Sequence, residues 1–460
     1  MTNSPLIKVL VPAGALGIPF DKTALAKGLE AKPDLIAIDG GSTDSGPYYL
    51  GTGTSKYSRT ATKADWAVLM AARAQANVPL LIGTAGTCGA DSAVDWMVDI
   101  TLEIARERGE TLKIATLKSG QDENQIITAF EAGLITPLEG APDIDIALFE
   151  QATNIVALAG VEQIQAALST GADIIIAGRA TDTAIIAALP IARGCHKGAA
   201  WHGAKIAECG ALATTNPNTG VILIQFDEAG FTITPLAEDT AATPYTVSAH
   251  MLYENTDPYI LHEPGGWLDV REAHYTSLDE ITVRVEGSVW HSTTPYTVKL
   301  EAARQAGFQT VSFVSIRDAR YCEHIEDWIT ALNASFQKKA ARNGLSDTNL
   351  ELRVIGRNAT LGALENLSVS KGEVGVMAIF TSPTQQQANE SAKLLNPDLL
   401  HLPLTPHEPM PTFAFPFSPP EMERGASYEF CLHHIMAIDD PLSAFRLDII
   451  ESKGDGRTTS

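Results

Sequence analysis

The sequence predicts a doubly wound, mainly parallel α/β sheet with a smaller α+β C-terminal domain, and three observations predict it. Short apolar runs without alternation recur through the first 200 residues. Amphipathic stretches of helix length separate them, and after about residue 226 the rhythm changes to alternating, half-exposed strands. Continuous apolar runs are how strands buried on both faces of a parallel sheet read, whereas alternation marks strands with one wet face.

The buried runs fall at 6–11, 35–39, 78–82, 112–116, 154–159 and 173–177. Between them lie helical patterns at 63–76, where Trp66, Leu69 and Met70 share a face, and at 92–108, 161–170 and 184–192. Strand and helix in turn imply right-handed βαβ units. The alternating strands begin at 231–234 and 281–289 and continue through 311–316. The last third reads as strands 350–355 and 373–380, a helix at 385–395, and the proline-rich stretch 402–420. Proline at that density excludes regular helix and central strand. We expect an extended segment there, lying over the body or reaching a neighbouring subunit of a homo-oligomer. The expected division is an α/β ligand-binding and catalytic domain over 1–275 and an α+β domain over 276–460.

With 460 residues, 45% of them hydrophobic, the chain is long and apolar enough for more than one packed core. Its formal net charge of −22 opposes phosphate backbones and anionic membranes, so neither nucleic acid nor membrane is expected as a partner. Cys88, Cys195, Cys209, Cys322 and Cys431 form no CxxC pair and no zinc-type spacing, as suits a reducing compartment. Residues 1–8 carry no charged segment leading into a long apolar run, and no stretch reaches membrane-spanning length. The expectation is a cytoplasmic protein.

Three polar loops follow three of the apolar strands, and in open parallel sheets ligands bind beyond the carboxyl ends of strands. The first is Asp39-Gly40-Gly41-Ser42-Thr43-Asp44. Its glycines allow close backbone approach, Ser42 and Thr43 offer hydroxyls, and its two carboxylates exceed what a helix cap requires. The second, Gly83-Thr84-Ala85-Gly86, precedes a helix and resembles an anion cradle of backbone N–H groups, although it lacks the lysine of a P-loop. In the third, Gly178-Arg179-Ala180-Thr181-Asp182-Thr183, Arg179 has the geometry to hold a carboxylate through two parallel hydrogen bonds. One of Asp182 and Thr183 is explained as a helix cap. The Gly/Thr/Ser-rich stretch 48–59 adds Lys56 and Arg59 as cationic tips of a lid. Together the three loops predict one site for a small anionic ligand. His202, His250 and Asn255 are further polar candidates, with His202 more simply read as structural. No H-x-H or H-x-x-x-H spacing appears, so no metal and no cofactor is assigned.

The chain resembles the acyclic terpene utilisation protein A family. The resemblance rests on IDGGSTDSGPYYLG (38–51), LLIGTAGTCG (80–89), DIIIAGRATDTA (173–184) and AWHGAKIAECGA (200–211). It continues through SAHMLYENTDPY (248–259), PYTVKLEAARQAGF (295–308) and FAFPFSPPEMERGASYEF (413–430), and so covers nearly the whole chain. It implies a role in catabolism of branched acyl-CoA or small polycarboxylate compounds, with a CoA thioester as one substrate form and a small companion protein. Some members carry a Ser-Gly-Asp-Lys-Gly-Asp type motif in an added domain; its absence here implies a companion supplied in trans.

The expected chemistry is that of a hydro-lyase acting on a small hydroxy-carboxylate or its thioester. Elimination of water needs a base for the α-proton, a cradle for the enolate and an acid for the leaving hydroxyl. Asp44 and Asp182 are the acid and base candidates, with Lys56 as an alternative donor. Asp39, Gly41, Ser42, Thr43, Arg59, Arg179, Thr181, Thr183 and the 83–86 amides are the expected binding groups. The alternative is a non-catalytic acyl-CoA or carboxylate-binding subunit. A G-x-S-x-G elbow and the nicotinamide glycine fingerprint are both lacking.

Overall fold

The computed structural model describes residues 5–366, 372–452 and 458–459. The chain divides into two compact units, one of residues 1–304 with 430–460, the other of residues 305–429. The expected boundary near residue 275 falls inside the first unit, because the strands His274–Ser277 and Val283–Glu286 extend that unit's own sheet.

At the centre of the first unit are β1 (Ile7–Val11), β2 (Leu35–Asp39), β3 (Leu80–Gly83) and β4 (Leu112–Lys118). The strand Ile174–Ala177 inserts between β3 and β4, and all five run parallel. On the β1 side the sheet continues through Ile222–Phe226, Gly230–Pro235, Val283–Glu286 and His274–Ser277, each antiparallel to its neighbour. On the β4 side Arg446–Ser452 pairs antiparallel, followed by Thr458–Thr459. The sheet is therefore mixed: parallel in its middle and antiparallel on both flanks, not mainly parallel as expected.

The pleat assigns each face its core. Val9, Leu35, Leu81, Ala115 and Ile175 pack with the helices Val161–Ser169, Ala184–Ala192 and Lys197–Ala207. Their neighbours Leu10, Ile36, Leu80, Ile114 and Ile174 pack with Lys22–Glu30, Arg59–Ala76 and Asp91–Arg108. Both faces of the middle strands are dry, which is why those runs show no alternation. The apolar run expected as a strand at 154–159 does form one, Ala152–Ala157, but it lies outside this sheet and pairs with residues 300–304.

In the second unit the strand Val374–Ser382 pairs antiparallel with Asn349–Ile355 and with residues 308–316. The helices Ile325–Arg342 and Gln385–His401 close its core around Trp328, Phe336 and Phe380. Residues 402–420 contain neither helix nor strand, as their prolines dictate, apart from a single bridge between Ala414 and Ser315. Phe413 is packed edge-on against Trp328 and Tyr321.

Candidate functional site

β2 delivers Asp39 to its carboxyl end, and the two glycines that follow are required by proximity. A Cβ on Gly40 would lie 2.6 Å from the Thr84 carbonyl oxygen, and Gly41 has φ +129° with Thr87 Cα 2.8 Å from its Cβ position. The chain thus turns tightly enough for the Gly41 amide to donate to Asp39 Oδ2 at 2.8 Å. The other oxygen, Oδ1, is buried and has no hydrogen-bond partner. Burial, then the nearby Asp182 carboxyl, push Asp39 well above the usual carboxylate range.

Asp182 sits at the carboxyl end of the strand Ile174–Ala177, between two threonines that fix the turn. Thr181 Oγ1 accepts from the Ala184 amide at 2.9 Å, and the Thr183 hydroxyl donates to Glu263. Burial, reinforced by Glu254 and Asp44 and opposed by Arg179 and Lys205, raises Asp182 to about 6. Asp39 and Asp182 line one cleft of about 510 Å³ together with Gly41, Ser42, Asp44 and Lys56. Ile18, Pro19, Leu212, Tyr57 and Tyr253 give the same cleft an apolar wall. The first loop and Asp182 of the third therefore line the same cleft.

The second loop does not join them at the cleft. Thr84 and Ala85 are wholly buried, and the amides of Thr84, Ala85, Thr87 and Gly89 donate to the carbonyls of Gly178, Ala177, Gly40 and Ala85. Gly83 and Gly86 are likewise enclosed, by Ile185 and Ala93. The residues expected as an anion cradle instead tie the first loop to the third, since an N–H satisfied within the fold has nothing left to offer a ligand.

Arg179 is also engaged elsewhere. Its Nε donates to Glu301 Oε2 at 2.8 Å, its Nη2 to Oε1 at 3.4 Å, and its Nη1 to Thr84 Oγ1 at 3.2 Å. Thr43, expected at the ligand, donates to the same Glu301 oxygen at 3.0 Å, and Lys299 Nζ reaches Oε1 at 2.9 Å. Burial pushes Glu301 up, but Arg179 and Lys299 overcome it and hold this carboxylate below its usual range. Arg179 fastens the loops from behind and does not line the cleft.

Of the remaining expected residues, Arg59 pairs with Glu103 at 2.6 Å on the surface. His202 is a core histidine: Nδ1 bonds Ser288 Oγ at 2.7 Å, Nε2 faces the Tyr275 hydroxyl at 3.3 Å, and burial pushes it down to about 3. Asn255 closes its own turn by donating to the carbonyls of Asp257 and Ile260. His250 is buried against Tyr253, with ring centroids 5.2 Å apart, and its Nε2 has no partner; burial and Lys205 lower it to about 4.

Sequence reasoning missed a buried polar group beside Asp182. Lys205 Nζ donates to Glu208 Oε1 at 2.6 Å, and both are nearly inaccessible. Burial raises Glu208 to about 8, with Asp182 and Glu263 adding to Lys205's failure to offset it. Burial disfavours the Lys205 cation too, yet Glu208 holds it above its ordinary value. Burial raises Glu263 to about 7 against the pull of its two threonine partners. The available signal was a Lys and a Glu three apart in the run 199–209, which apart from them and His202 is apolar. Glu254 and Tyr253 also line the cleft unannounced. Among the described residues no three His, Cys, Asp or Glu side chains are gathered so as to hold a metal ion. No helix among them is long and apolar enough to cross a membrane.

The model of the acyclic terpene utilisation family protein AtuA matches residues 54–404 of the 460. The chain belongs to this AtuA family. No curated protein and no solved structure gives a significant match. The AtuA match begins after the Asp39 loop and takes in Lys56, Asp182, Lys205, Glu208 and Glu254, so much of the cleft belongs to the family-matched region.

Proposed function

We propose that the chain is a carbon–oxygen lyase, a hydro-lyase that dehydrates or hydrates a small hydroxy-carboxylate or its thioester in acyclic terpene catabolism. The observation that carries this reading is the Asp39 and Asp182 pair, two carboxyls raised by burial in one cleft. Like-charged carboxyls in a shared low-dielectric site favour a state with one proton between them, which supplies an acid and a base together. Asp182, raised to about 6, is ionised at neutral pH and takes the α-proton of a β-hydroxy acid. Its electron pair forms the C=C bond as the C–O bond breaks. Asp39, held protonated, gives its proton to the departing hydroxyl, which leaves as water. Asp44 is exposed at the rim and becomes a contributor to the field, and Lys56 holds the substrate carboxylate. The parallel middle of the sheet supports reading it as a doubly wound unit with its ligand at the strand ends.

The test is turnover of β-hydroxy acids and their CoA thioesters, followed by the absorbance of the conjugated product, in the wild type and in Asp182→Asn. Product formation that the substitution leaves intact would overturn the assignment. A second reading, a ligand-binding subunit without turnover, is favoured by Lys56 being the one cation among the described residues of the cleft wall, which leaves an enolate little support. Binding that persists with no turnover alone or with cell extract would establish it.

A further inference from the structure

We propose that the cleft takes a ligand with one negative charge, held at Lys56, and a hydroxyl bonded to Asp39, and that it excludes dianions and CoA. This narrows the reading above to the free hydroxy acid, without its CoA thioester, and rests on it only for the presence of a hydroxyl.

The acid wall is the first observation. Asp39, Asp44, Asp182 and Glu254 line the cleft, and Lys56 is the cation among its lining residues. The Arg179 guanidinium, which would otherwise offset part of this charge, is bound to Glu301 behind the loops. A second negative group on a ligand would therefore meet carboxylates, in a chain already at −22.

Asp39 is the second. Its side chain is 4% exposed, and Oδ1 lacks a partner in a fold that satisfies most buried polar atoms. A carboxyl in that position is completed by one further hydrogen bond, and a ligand hydroxyl, which both accepts and donates, supplies it.

Lys56 is the third. Its backbone N–H donates to Thr87 Oγ1 at 3.1 Å, and the Thr87 amide donates to the Gly40 carbonyl at 3.0 Å. Two hydrogen bonds thus set the base of this side chain beside the loop that carries Asp39. Its Nζ donates to Ser45 Oγ at 2.7 Å, a neutral partner that a carboxylate displaces at little cost. Ile18, Pro19 and Leu212 also line the cleft and offer surface for a short aliphatic chain.

Calorimetric titration of the full chain tests this with 3-hydroxyhexanoate, hexanoate, methyl 3-hydroxyhexanoate, 3-hydroxyhexanedioate and coenzyme A. The hydroxy monoacid is expected to bind at least about tenfold more tightly than each of the others, the loss of one charge-assisted hydrogen bond. Lys56→Met lowers its affinity to that of the ester, while Lys56→Arg stays within about threefold of the wild type, with thermal melting verifying that both fold. Equal or tighter binding of the dianion or CoA, indifference to Lys56→Met in a folded variant, or no binding of the hydroxy monoacid at millimolar concentration overturns the proposal. Because binding is read, a chain with this charge preference and no turnover refutes the hydro-lyase alone.

Discussion

Arg179 with Glu301 and Asp39 with Asp182 are two buried charge groups in the same ring of loops, and the fold treats them oppositely. Glu301 receives Arg179, Lys299 and Thr43, so both of its oxygens are bonded and its carboxylate is stabilised as an anion. Asp39 keeps one oxygen without any partner, and burial drives both members of its pair toward the protonated form. The paired group is a fastener whose charge is internal to the fold. The incompletely paired one is ionised only at an energetic cost, the asymmetry that makes a buried carboxyl a candidate for function.

This contrast can be broken most sharply at Asp182. Asp182→Asn is expected to lower turnover by about 10²–10⁴-fold, the usual worth of a positioned acid or base, with no loss of melting temperature. Steady-state kinetics beside a thermal melt decide it, and a stability loss without a rate loss would move Asp182 into the class of fasteners. At Glu301 the expectation reverses. Glu301→Ala strands Arg179 in the interior and costs about 3–5 kcal/mol in chemical denaturation, much of which a double replacement of Arg179 and Glu301 by apolar residues recovers.

The two regions also bend stability with pH in opposite senses. Asp182 is raised to about 6 from 3.8, so the native state binds the extra proton and is penalised as pH climbs through that interval. Asp182→Asn should therefore exceed the wild type in stability by about 1–2 kcal/mol above pH 6, discounted for its partial exposure, and match it near pH 4. Glu301 is lowered, so its contribution is complete above its ordinary value and disappears as the solution is acidified below it. Denaturation curves at several pH values separate the two. The smallest effect belongs to Arg59→Ala, whose exposed pair with Glu103 is expected to leave both melting temperature and turnover unchanged.

Much of the first unit was legible because burial on two faces leaves an unbroken apolar signature. β2 and the helix Ala184–Ala192 match their expected limits, and β1 differs by one residue. Partner choice was not legible: Ala152–Ala157 carries the same signature as its neighbours, yet it pairs in another sheet. The antiparallel flanks also escaped, since direction depends on where the chain returns and not on local composition. Within the site, the loop positions of Asp39 and Asp182 were readable from their place after strands. Whether Arg179 faced ligand or core was not, because its partner Glu301 lies 122 residues away on a strand with no distinguishing motif. Thr84 and Ala85 misled for a related reason: a glycine-flanked loop looks alike whether its amides face solvent or a neighbouring loop.

The pairing of Arg446–Ser452 with β4 has a consequence for how this protein is made. Residue 118 leaves the ribosome more than 300 residues before its partner Arg446 does. Throughout that interval the nascent chain holds a seven-residue strand edge, Leu112–Lys118, whose native neighbour has not yet been synthesised. A chain released early at residue 429 would keep that edge open permanently, a template for strand addition by other chains. Completion of the first unit is thus withheld until the C-terminal strand emerges, and premature termination products are expected in the insoluble fraction of expressing cells.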